Sequence, residues 1–248
     1  MKLLYKLPRD LKDENGKLVK RIPLEKYTYH GGDLNLKVGS LKKDDLTSGL
    51  INKDKEKYAL FNAQHIDLIN HFGRKAQVIT SKDAGLIISE TGINKESVVL
   101  ESGTGSGSLT SFLAGIAKKV VSVEINDKNI EQARKNINKT NFQAEILKGD
   151  IKSISLKQEF DVIILDLLNP EEAFDNILKN LKPGGFLVLY LPNITQVQQA
   201  LSKKPDNIIT EKTFEVIQRD WKVSDKIARP ETKDFGHTAF ISILRKVF

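Results

Sequence analysis

The chain has 248 residues, enough for one large domain or two modest ones with a core that needs no covalent cross-link. It contains no cysteine, which excludes disulfides and thiolate metal sites. Its 4 histidines are scattered without ligand spacing, so we expect no structural metal. No stretch has the length of a membrane span and no apolar leader follows Met1, so we expect a cytoplasmic protein without membrane contact.

The net charge of the chain is +7, and most of the excess of Lys and Arg over Asp and Glu lies in residues 1–60. A basic segment is typical of a surface that faces nucleic acid. It is equally typical of a lysine-rich composition in which most charges are only solvated. Composition alone therefore leaves both interpretations open.

Residues 1–62 predict a small β-rich domain, such as a barrel, because short stretches of alternating apolar residues are separated by turn residues. Residues 63–97 predict a helical connector. Apolar residues recur through 61–75, and a second helix over 81–90 is expected to begin with Ser81 as its N-cap.

From residue 98 the chain alternates between apolar strands and helices, which is typical of a doubly wound α/β sheet. The predicted strands cover 98–100, 120–124, 144–147, 160–166 and 186–191. Besides a helix that follows the first of these strands, the predicted helices cover 127–138, 170–181 and 195–201. Two antiparallel strands follow, at 214–217 and 238–244, with a long loop over 221–236 between them. The fold class is therefore α/β: a Rossmann-like, seven-stranded sheet over 98–248 with a small β-rich N-terminal domain.

A glycine-rich turn follows the first of these strands and opens a helix. Its candidate cofactor residues are Glu101, Gly103, Gly105, Gly107, Ser108, Leu109 and Thr110. Glycines let the backbone turn sharply and let a ligand approach closely, so strand, turn and helix form a cradle of the nucleotide-binding type. The turn lacks the sixth-position Gly or Ala of dinucleotide loops and the Gly-Lys-Ser/Thr of phosphate loops. It favours a ligand without pyrophosphate, such as S-adenosylmethionine.

Acidic residues follow the predicted strands, where ligands of open α/β sheets bind. They are Glu101, Glu124, Asp150, which precedes Ile151, and Asp166. A carboxylate after the second strand can accept hydrogen bonds from both hydroxyls of a ribose. A single acid there would be explained by solvation, but four at successive strand ends indicate a ligand site. A nicotinamide dehydrogenase would share Glu124 without requiring Asp150.

Five segments carry a resemblance to one enzyme family. They are 74–83, 100–110, Asp166 with Pro170, 190–197, and Arg229-Pro230 with 236–240. Together they resemble class I S-adenosylmethionine-dependent methyltransferases and, more narrowly, the tRNA adenine-N1 methyltransferases that modify position 58 of the T loop. The glycine loop is shared by many methyltransferases, whereas its combination with the other segments is far more specific.

The resemblance implies that 98–248 form a catalytic domain that binds S-adenosylmethionine and methylates N1 of adenosine 58 in tRNA, with position 57 left open. It implies a homotetramer and a basic N-terminal domain that holds RNA. No metal is implied, because the methyl group is already activated on a sulfonium.

The resemblance also gives roles to single residues. Asp166 is the implied catalytic residue, because a carboxylate near N6 and N1 of adenine fixes the base and stabilises the charge that the methylated ring gains. Tyr190 would wall the pocket beside Asp166. The residues implied near the cofactor, besides the glycine turn, are Gln77, Glu124, Asp150, Ile151 and Asp166. The residues implied on the substrate side are Thr80, Arg229 and His237.

Among its departures from the family pattern, the chain has two near the pocket for the target base. Thr80-Ser81 stand where the family has Tyr-Pro, which removes an aromatic ring that could stack on the target base. Residues 166–171 read Asp-Leu-Leu-Asn-Pro-Glu where the family has Asp-x-Pro-x-Pro-Trp. Both differences concern the pocket for the target base.

Two other functions remain open from the sequence. A protein carboxyl methyltransferase shares the core and a related segment before the first strand, although the basic N-terminal domain and Arg229-Pro230 argue against it. A non-catalytic RNA-binding subunit on the same fold should have lost the cofactor glycines, which this chain retains.

Overall fold

The structure, a computed structural model, describes residues 1–36, 39–73, 78–224, 227–232 and 236–248. The chain divides into two compact units, Met1–His71 and Phe72–Phe248. The sequence-based division into 1–62, 63–97 and 98–248 stays a prediction. Within the described ranges, no helix is both long and apolar enough to cross a membrane.

The first unit is built from short strands and one helix. Its elements are β1 Lys2–Lys6, β2 Arg9–Lys12, β3 Leu18–Ile22, β4 Glu25–Tyr29, β5 Leu34–Asn35, β6 Ser40–Leu41, β7 Gly49–Lys53, β8 Glu56–Asn62 and α1 His65–Asn70. The order β4-β1-β8-β7 gives an antiparallel sheet whose core includes Leu4 and Leu60. This β-rich unit is an open sheet in its described part rather than a barrel, because the remaining strands pair only as β2-β3 and β5-β6.

One face of the sheet in the first unit carries several exposed side chains. This outer face consists of Tyr5, Lys26, Leu50, Lys57 and Phe61, which the strand register places on the side opposite the core. The rings of Tyr5 and Phe61 meet edge to face with centroids 4.9 Å apart, and Lys26 Nζ lies 5.0 Å from the Tyr5 centroid. Leu50 is 61% exposed and Phe61 38%. The outer face therefore combines accessible apolar side chains with positive charge.

The second unit is organised around a seven-stranded sheet. Its elements are α2 Ser81–Thr91, β9 Val98–Ser102, α3 Ser108–Ala114, β10 Lys119–Glu124, α4 Asp127–Ile137, β11 Glu145–Lys148, β12 Phe160–Leu165, α5 Phe174–Ile177, β13 Leu181–Leu191, α6 Ile194–Ser202, β14 Ile208–Glu215, β15 Trp221–Ser224, β16 Ile227–Pro230 and β17 Phe240–Lys246. The strand order is β11-β10-β9-β12-β13-β17-β14, with β17 antiparallel to both of its neighbours. This confirms the predicted Rossmann-like, doubly wound sheet.

Strand β9 lies inside this sheet, between β10 and β12, and is buried on both faces. Val99 packs in one apolar cluster with Ile87 of α2 and Leu113 of α3, whereas Leu100 packs in a second cluster with Ile177 of α5. From β9 the chain runs outward to β10 and β11 and then returns on the other side to β12. A crevice for ligands is therefore expected at the carboxyl end of β9, where the strand order reverses.

The N-cap of α2 differs from the predicted one. Thr80, not Ser81, occupies this position, and the side chain of Thr80 accepts a hydrogen bond from the backbone amide of Asp83. Threonine and serine are both favourable N-caps, so two of them in succession leave the start of a helix ambiguous by one residue.

The segment 170–181, predicted as a helix, is divided into shorter pieces. Single 3-10 turns at Pro170–Ala173 and Leu178–Asn180 flank α5, and β13 begins at Leu181, ahead of the predicted start at residue 186. β13 thus includes Pro183, Gly184 and Gly185, and its pairing with β12 is irregular between Phe160 and Val162.

The segment 221–236, predicted as a loop, contains the antiparallel hairpin β15-β16. All four residues of β15 are exposed. The strand reads Trp-Lys-Val-Ser, which alternates apolar and polar residues over only four positions, the shortest run that identifies a strand from sequence.

Candidate active site

The glycine loop between β9 and α3 lies against the end of β12. Gly103, Gly105 and Gly107 have φ values of +96°, +53° and +78°, which favour glycine. A Cβ on Gly103 would lie 2.2 Å from the backbone oxygen of Asp166. The amide of Asp166 also donates a hydrogen bond of 2.9 Å to the backbone oxygen of Ser102. Only glycine fits at position 103, and its absence of a side chain brings the ends of β9 and β12 together.

A cavity of about 410 Å³ opens beside this loop, a size typical of small-ligand sites. The predicted site residues that line it are Glu101, Gly103, Gly105, Ser108, Leu109, Glu124, Asp166 and Tyr190. The sequence analysis did not select several other wall residues, among them Ile79, Asn129, Pro192 and Thr238. The structure thus brings together, at the carboxyl ends of β9, β10, β12 and β13, residues that are far apart in the chain.

Other predicted site residues do not line the cavity. In the described part of the chain they are Thr80, Gly107, Thr110, Asp150, Ile151, Arg229 and His237. Gln77 lies outside the described residues. Asp150 Oδ1 accepts a hydrogen bond of 2.9 Å from the amide of Lys152, and Ile151 is buried in a core cluster. The functional roles of all these residues stay predictions.

His237 connects two segments near the rim of the cavity. Its Nε2 lies 2.9 Å from the backbone oxygen of Pro192 and its Nδ1 lies 2.7 Å from Glu215 Oε2. These two acceptors raise the pKa of His237. Arg229 lies on the exposed hairpin, where its guanidinium donates a hydrogen bond to the backbone oxygen of Pro230.

Glu101 is a buried carboxyl group at the floor of the cavity. It is 1% exposed, and its Oε2 accepts a hydrogen bond of 2.6 Å from Thr110 Oγ1. Burial above all, followed by the negative charges of Asp166 and Glu124, raises the pKa of Glu101 to about 8. Three carboxyl groups thus share one cavity, and this arrangement favours a positively charged ligand.

Asp166 lies directly after β12 and lines the same cavity. Among the contacts of the described residues, no hydrogen bond holds its carboxylate. Burial, and then the negative charge of Glu124, raises the pKa of Asp166 to about 7. A partly buried carboxylate without a partner can accept a hydrogen bond from a ligand and stabilise positive charge on it.

Glu124 ends β10 and already accepts several hydrogen bonds from the protein. The amides of Ile125 and Asn126 donate to Oε1 over 3.0 and 2.9 Å. The amide of Gly105 and the side chain of Asn129 donate to Oε2 over 3.1 and 3.3 Å. A carboxylate offers about four acceptor positions. A ribose hydroxyl would therefore have to replace one of these donors, and the long contact to Asn129 is the weakest of the four.

Asp83 is a residue of this region that the sequence analysis did not select. It is 0% exposed, and its Oδ2 accepts a hydrogen bond of 3.0 Å from the hydroxyl of Tyr190. An acidic residue in the first turn of a helix is ordinarily explained by the helix dipole, so its sequence position gave no reason to select it. The sequence nevertheless gave one indication that Asp83 matters, because it belongs to the segment 74–83 that resembles the family.

The doubly wound sheet with its antiparallel β17, the glycine loop after β9 and the acidic cavity define an S-adenosylmethionine-dependent methyltransferase. The donor set fits a cationic cofactor, since the cavity holds three carboxyl groups and the loop at Gly103 excludes any side chain. A family model described as "tRNA methyltransferase complex GCD14 subunit" matches residues 69–243. The chain belongs to this GCD14 family.

Individual relatives agree with this assignment. The tRNA (adenine(57)-N(1)/adenine(58)-N(1))-methyltransferase TrmI of Methanocaldococcus jannaschii is 31% identical, over 97% of this chain and 94% of the relative. The tRNA (adenine(58)-N(1))-methyltransferase TrmI of Thermus thermophilus is 35% identical, over 71% of this chain and 72% of the relative. The crystal structure of tRNA (m1A58) methyltransferase TrmI from Aquifex aeolicus aligns with a TM-score of 0.79 at 26% identity, over 100% of this chain and 97% of that one.

Proposed function

We propose that this protein transfers a methyl group from S-adenosylmethionine to N1 of adenosine 58 in the T loop of tRNA. The observation that carries the proposal is the carboxylate of Asp166, which has no hydrogen-bond partner in the described structure and shares a cavity with the glycine loop. Family membership supplies the substrate class, because the curated relatives named above are tRNA adenine-N1 methyltransferases.

When bound, S-adenosylmethionine supplies an electrophilic methyl group on a positively charged sulfur. Gly103 and Gly105 would let it approach the backbone closely, and Glu124 would accept a hydrogen bond from a ribose hydroxyl in place of the one from Asn129. The carboxyl groups of Glu101 and Asp166 would attract the sulfonium. The remaining proposed cofactor residues are Gln77, Gly107, Ser108, Leu109, Thr110, Asp150 and Ile151.

Asp166 would act on the target base. Its ionised carboxylate accepts a hydrogen bond from the exocyclic amine of adenine, which orients N1, and it stabilises the positive charge that the ring acquires on methylation. Tyr190 closes the same cavity as a wall. The remaining residues on the proposed substrate side are Thr80, Arg229 and His237.

The target base must leave its stack to reach this cavity, because position 58 is buried in the tRNA elbow, and extrusion of a base costs a few kcal/mol. The basic first unit would contribute to this step by holding the RNA backbone. We propose adenosine 58 as the principal target. Adenosine 57 is a second target to test, because the name of the M. jannaschii relative includes it and that of the T. thermophilus relative does not.

We further propose that the protein is a cytoplasmic homotetramer that needs no metal. Sedimentation of the purified protein would give its mass, which should be four times that of the 27.8 kDa chain. A chelator should leave methyl transfer unchanged.

The decisive experiment is a modification map. Unmodified tRNA is incubated with the protein and S-adenosylmethionine labelled in the methyl group, and the labelled nucleotide is then identified. Label on N1 of adenosine 58 is expected. Label only at another nucleotide, or only on protein carboxyl groups, would contradict the proposal. Calorimetric titration with S-adenosylmethionine separates the enzyme from a non-catalytic subunit, which should give no binding heat.

A further inference from the structure

Asp83 is the centre of a buried polar cluster beside the cavity. Its Oδ1 forms an ion pair of 2.7 Å with Lys82 Nζ, and its Oδ2 accepts hydrogen bonds of 3.0 Å from Thr80 Oγ1 and of 3.0 Å from the hydroxyl of Tyr190. Lys82 Nζ also donates a hydrogen bond of 2.7 Å to Thr238 Oγ1. Burying these charges is expensive unless they are paired, and here both are paired.

The cluster joins three segments that each provide walls of the cavity. Thr80 follows Ile79, a wall residue before α2, while Tyr190 comes from the end of β13 and Thr238 from the segment before β17. These segments are distant in the chain, and the Lys82–Asp83 pair connects all three. A substitution at Lys82 or Asp83 should therefore change the shape of the cavity.

The hydrogen bond between Tyr190 and Asp83 has a fixed direction. An ionised carboxylate only accepts, so the phenol must donate its proton to Asp83. Burial, and then the negative charge of Asp83, raises the pKa of Tyr190. The phenol therefore stays neutral and its one donor proton is occupied, so Tyr190 can offer the cavity only its ring and the lone pairs of its oxygen.

We propose that Asp83, held by Lys82, is a positioning residue that fixes the ring of Tyr190 as a wall of the target-base site. Asp83 acts through Tyr190 and does not itself touch the base. Thr80 helps to hold the same carboxylate, because its hydroxyl donates a hydrogen bond to Asp83. This inference rests on the proposed function, because it takes the base next to Tyr190 to be that of the tRNA substrate.

Three variants test the proposal: Asp83→Asn, Tyr190→Phe and the double variant. Each single change should lower kcat/KM for tRNA about 10- to 100-fold, the loss expected when a reacting group is misplaced by about an ångström. The affinity for S-adenosylmethionine, measured by calorimetry, should stay within about twofold. The double variant should be no worse than the worse single variant, because both changes break one interaction.

Asp161→Asn is the matched control. Asp161 also pairs with a lysine, through a contact of 2.6 Å to Lys182 Nζ, and accepts a hydrogen bond of 2.8 Å from the amide of Val98. It is the second residue of β12, near the end of that strand opposite the cavity. This variant should lose stability without losing kcat/KM for tRNA.

A spectroscopic measurement tests the contact without any substrate. The absorbance of tyrosinate is followed against pH, and the difference between a protein and its Tyr190→Phe counterpart isolates Tyr190 among the 5 tyrosines. Tyr190 should ionise at lower pH in Asp83→Asn than in the wild type. An unchanged titration, or additive losses in the double variant, would overturn the proposal.

If the wild type instead fails to methylate tRNA, the proposed function is wrong while the titration still tests the contact. Should Asp83→Asn fail to fold, Tyr190→Phe alone must show the loss of kcat/KM for the proposal to stand.

Discussion

The ionisation of Asp166 should control the reaction near neutral pH. Because the pKa of this carboxyl group is raised to about 7, it is largely protonated in the free protein at pH 6 and lacks the negative charge that would stabilise the methylated ring. We predict that kcat/KM for methyl transfer rises about tenfold per pH unit below pH 7 and levels off above it, since this quantity reports the free enzyme. Initial rates at limiting tRNA across this range provide the measurement.

Asp166→Asn tests whether this carboxylate, and not another titrating group, causes the predicted pH dependence. The variant should lose about 100- to 1,000-fold in kcat, the effect of removing one preorganised electrostatic partner of the transition state. Its remaining activity should no longer follow the rise below pH 7. Near-normal turnover in Asp166→Asn would remove this residue from its proposed role.

The same carboxyl group should make the free protein less stable as the pH rises. The pKa of Asp166 in the folded protein lies above the value of about 3.9 that an unfolded chain has, so the folded state resists ionisation. Stability is therefore lost between about pH 4 and pH 7, and Asp166→Asn should escape this loss. We predict a higher midpoint of urea unfolding for Asp166→Asn than for wild type at pH 8, and equal midpoints near pH 4. A lower midpoint for the variant at pH 8 would contradict the raised pKa.

At this scale, the sequence predicted several residues that line the cavity but not how their polar atoms are paired. Glu101, Glu124 and Asp166 were identifiable because each follows a buried strand of a parallel sheet. The proposed role of Asp83 was not identifiable, because its hydrogen-bond partner Tyr190 lies 107 positions away in the chain. Contacts across such distances depend on the packing of β13 against α2, about which local periodicity says nothing.

The turn from β9 into α3 is the element most sensitive to substitution. Gly103→Ala would place a Cβ 2.2 Å from the backbone oxygen of Asp166, at a φ of +96° that costs a residue with a side chain about 1–3 kcal/mol before any clash. We predict at least a tenfold weaker binding of S-adenosylmethionine and a lower midpoint of urea unfolding. Calorimetry and denaturation measure the two effects.

Gly85→Ala is the matched control for this substitution. Gly85 lies in α2, and a Cβ there would have no heavy atom within 4 Å. The change should stabilise the helix by up to about 1 kcal/mol and leave cofactor binding unchanged. Equal effects of the two substitutions on cofactor binding would show that the turn does not require glycine at position 103.

Elements buried on both faces were predictable, whereas exposed or interrupted ones were not. β9 and β12 were recognised from continuous apolar runs that pack on two core clusters. The hairpin β15-β16 was missed because each of its strands has only four residues, almost all exposed, so the apolar alternation in β15 is too short to stand out. The helix over 170–181 was predicted too long, because apolar spacing alone does not distinguish an α-helix from successive 3-10 turns.

The two units of the molecule differ in the charge that they present to ligands. The cavity of the second unit is lined by Glu101, Glu124 and Asp166, which suits a cationic cofactor. The outer face of the first unit instead carries Lys26 and Lys57 beside exposed apolar side chains. Nucleic-acid binding proteins commonly combine aromatic stacking surfaces with lysines that neutralise phosphates. Composition left open whether the excess lysines are only solvated or form an RNA-binding surface. The second interpretation can be tested at Lys26 and Lys57 of the outer face.

We predict that Lys26→Gln with Lys57→Gln weakens tRNA binding without changing the affinity for S-adenosylmethionine. Each lysine that neutralises a phosphate contributes about one to the slope of log affinity against log salt, so the slope should fall by about two. Phe61→Ala should weaken binding by about 1–3 kcal/mol with little change in slope, because stacking on a base releases no counterion. Lys157→Gln, an exposed lysine of the second unit, is the control for a general loss of charge. An equal change of slope in that control would mean that the charge of the whole molecule, and not the outer face, attracts the RNA.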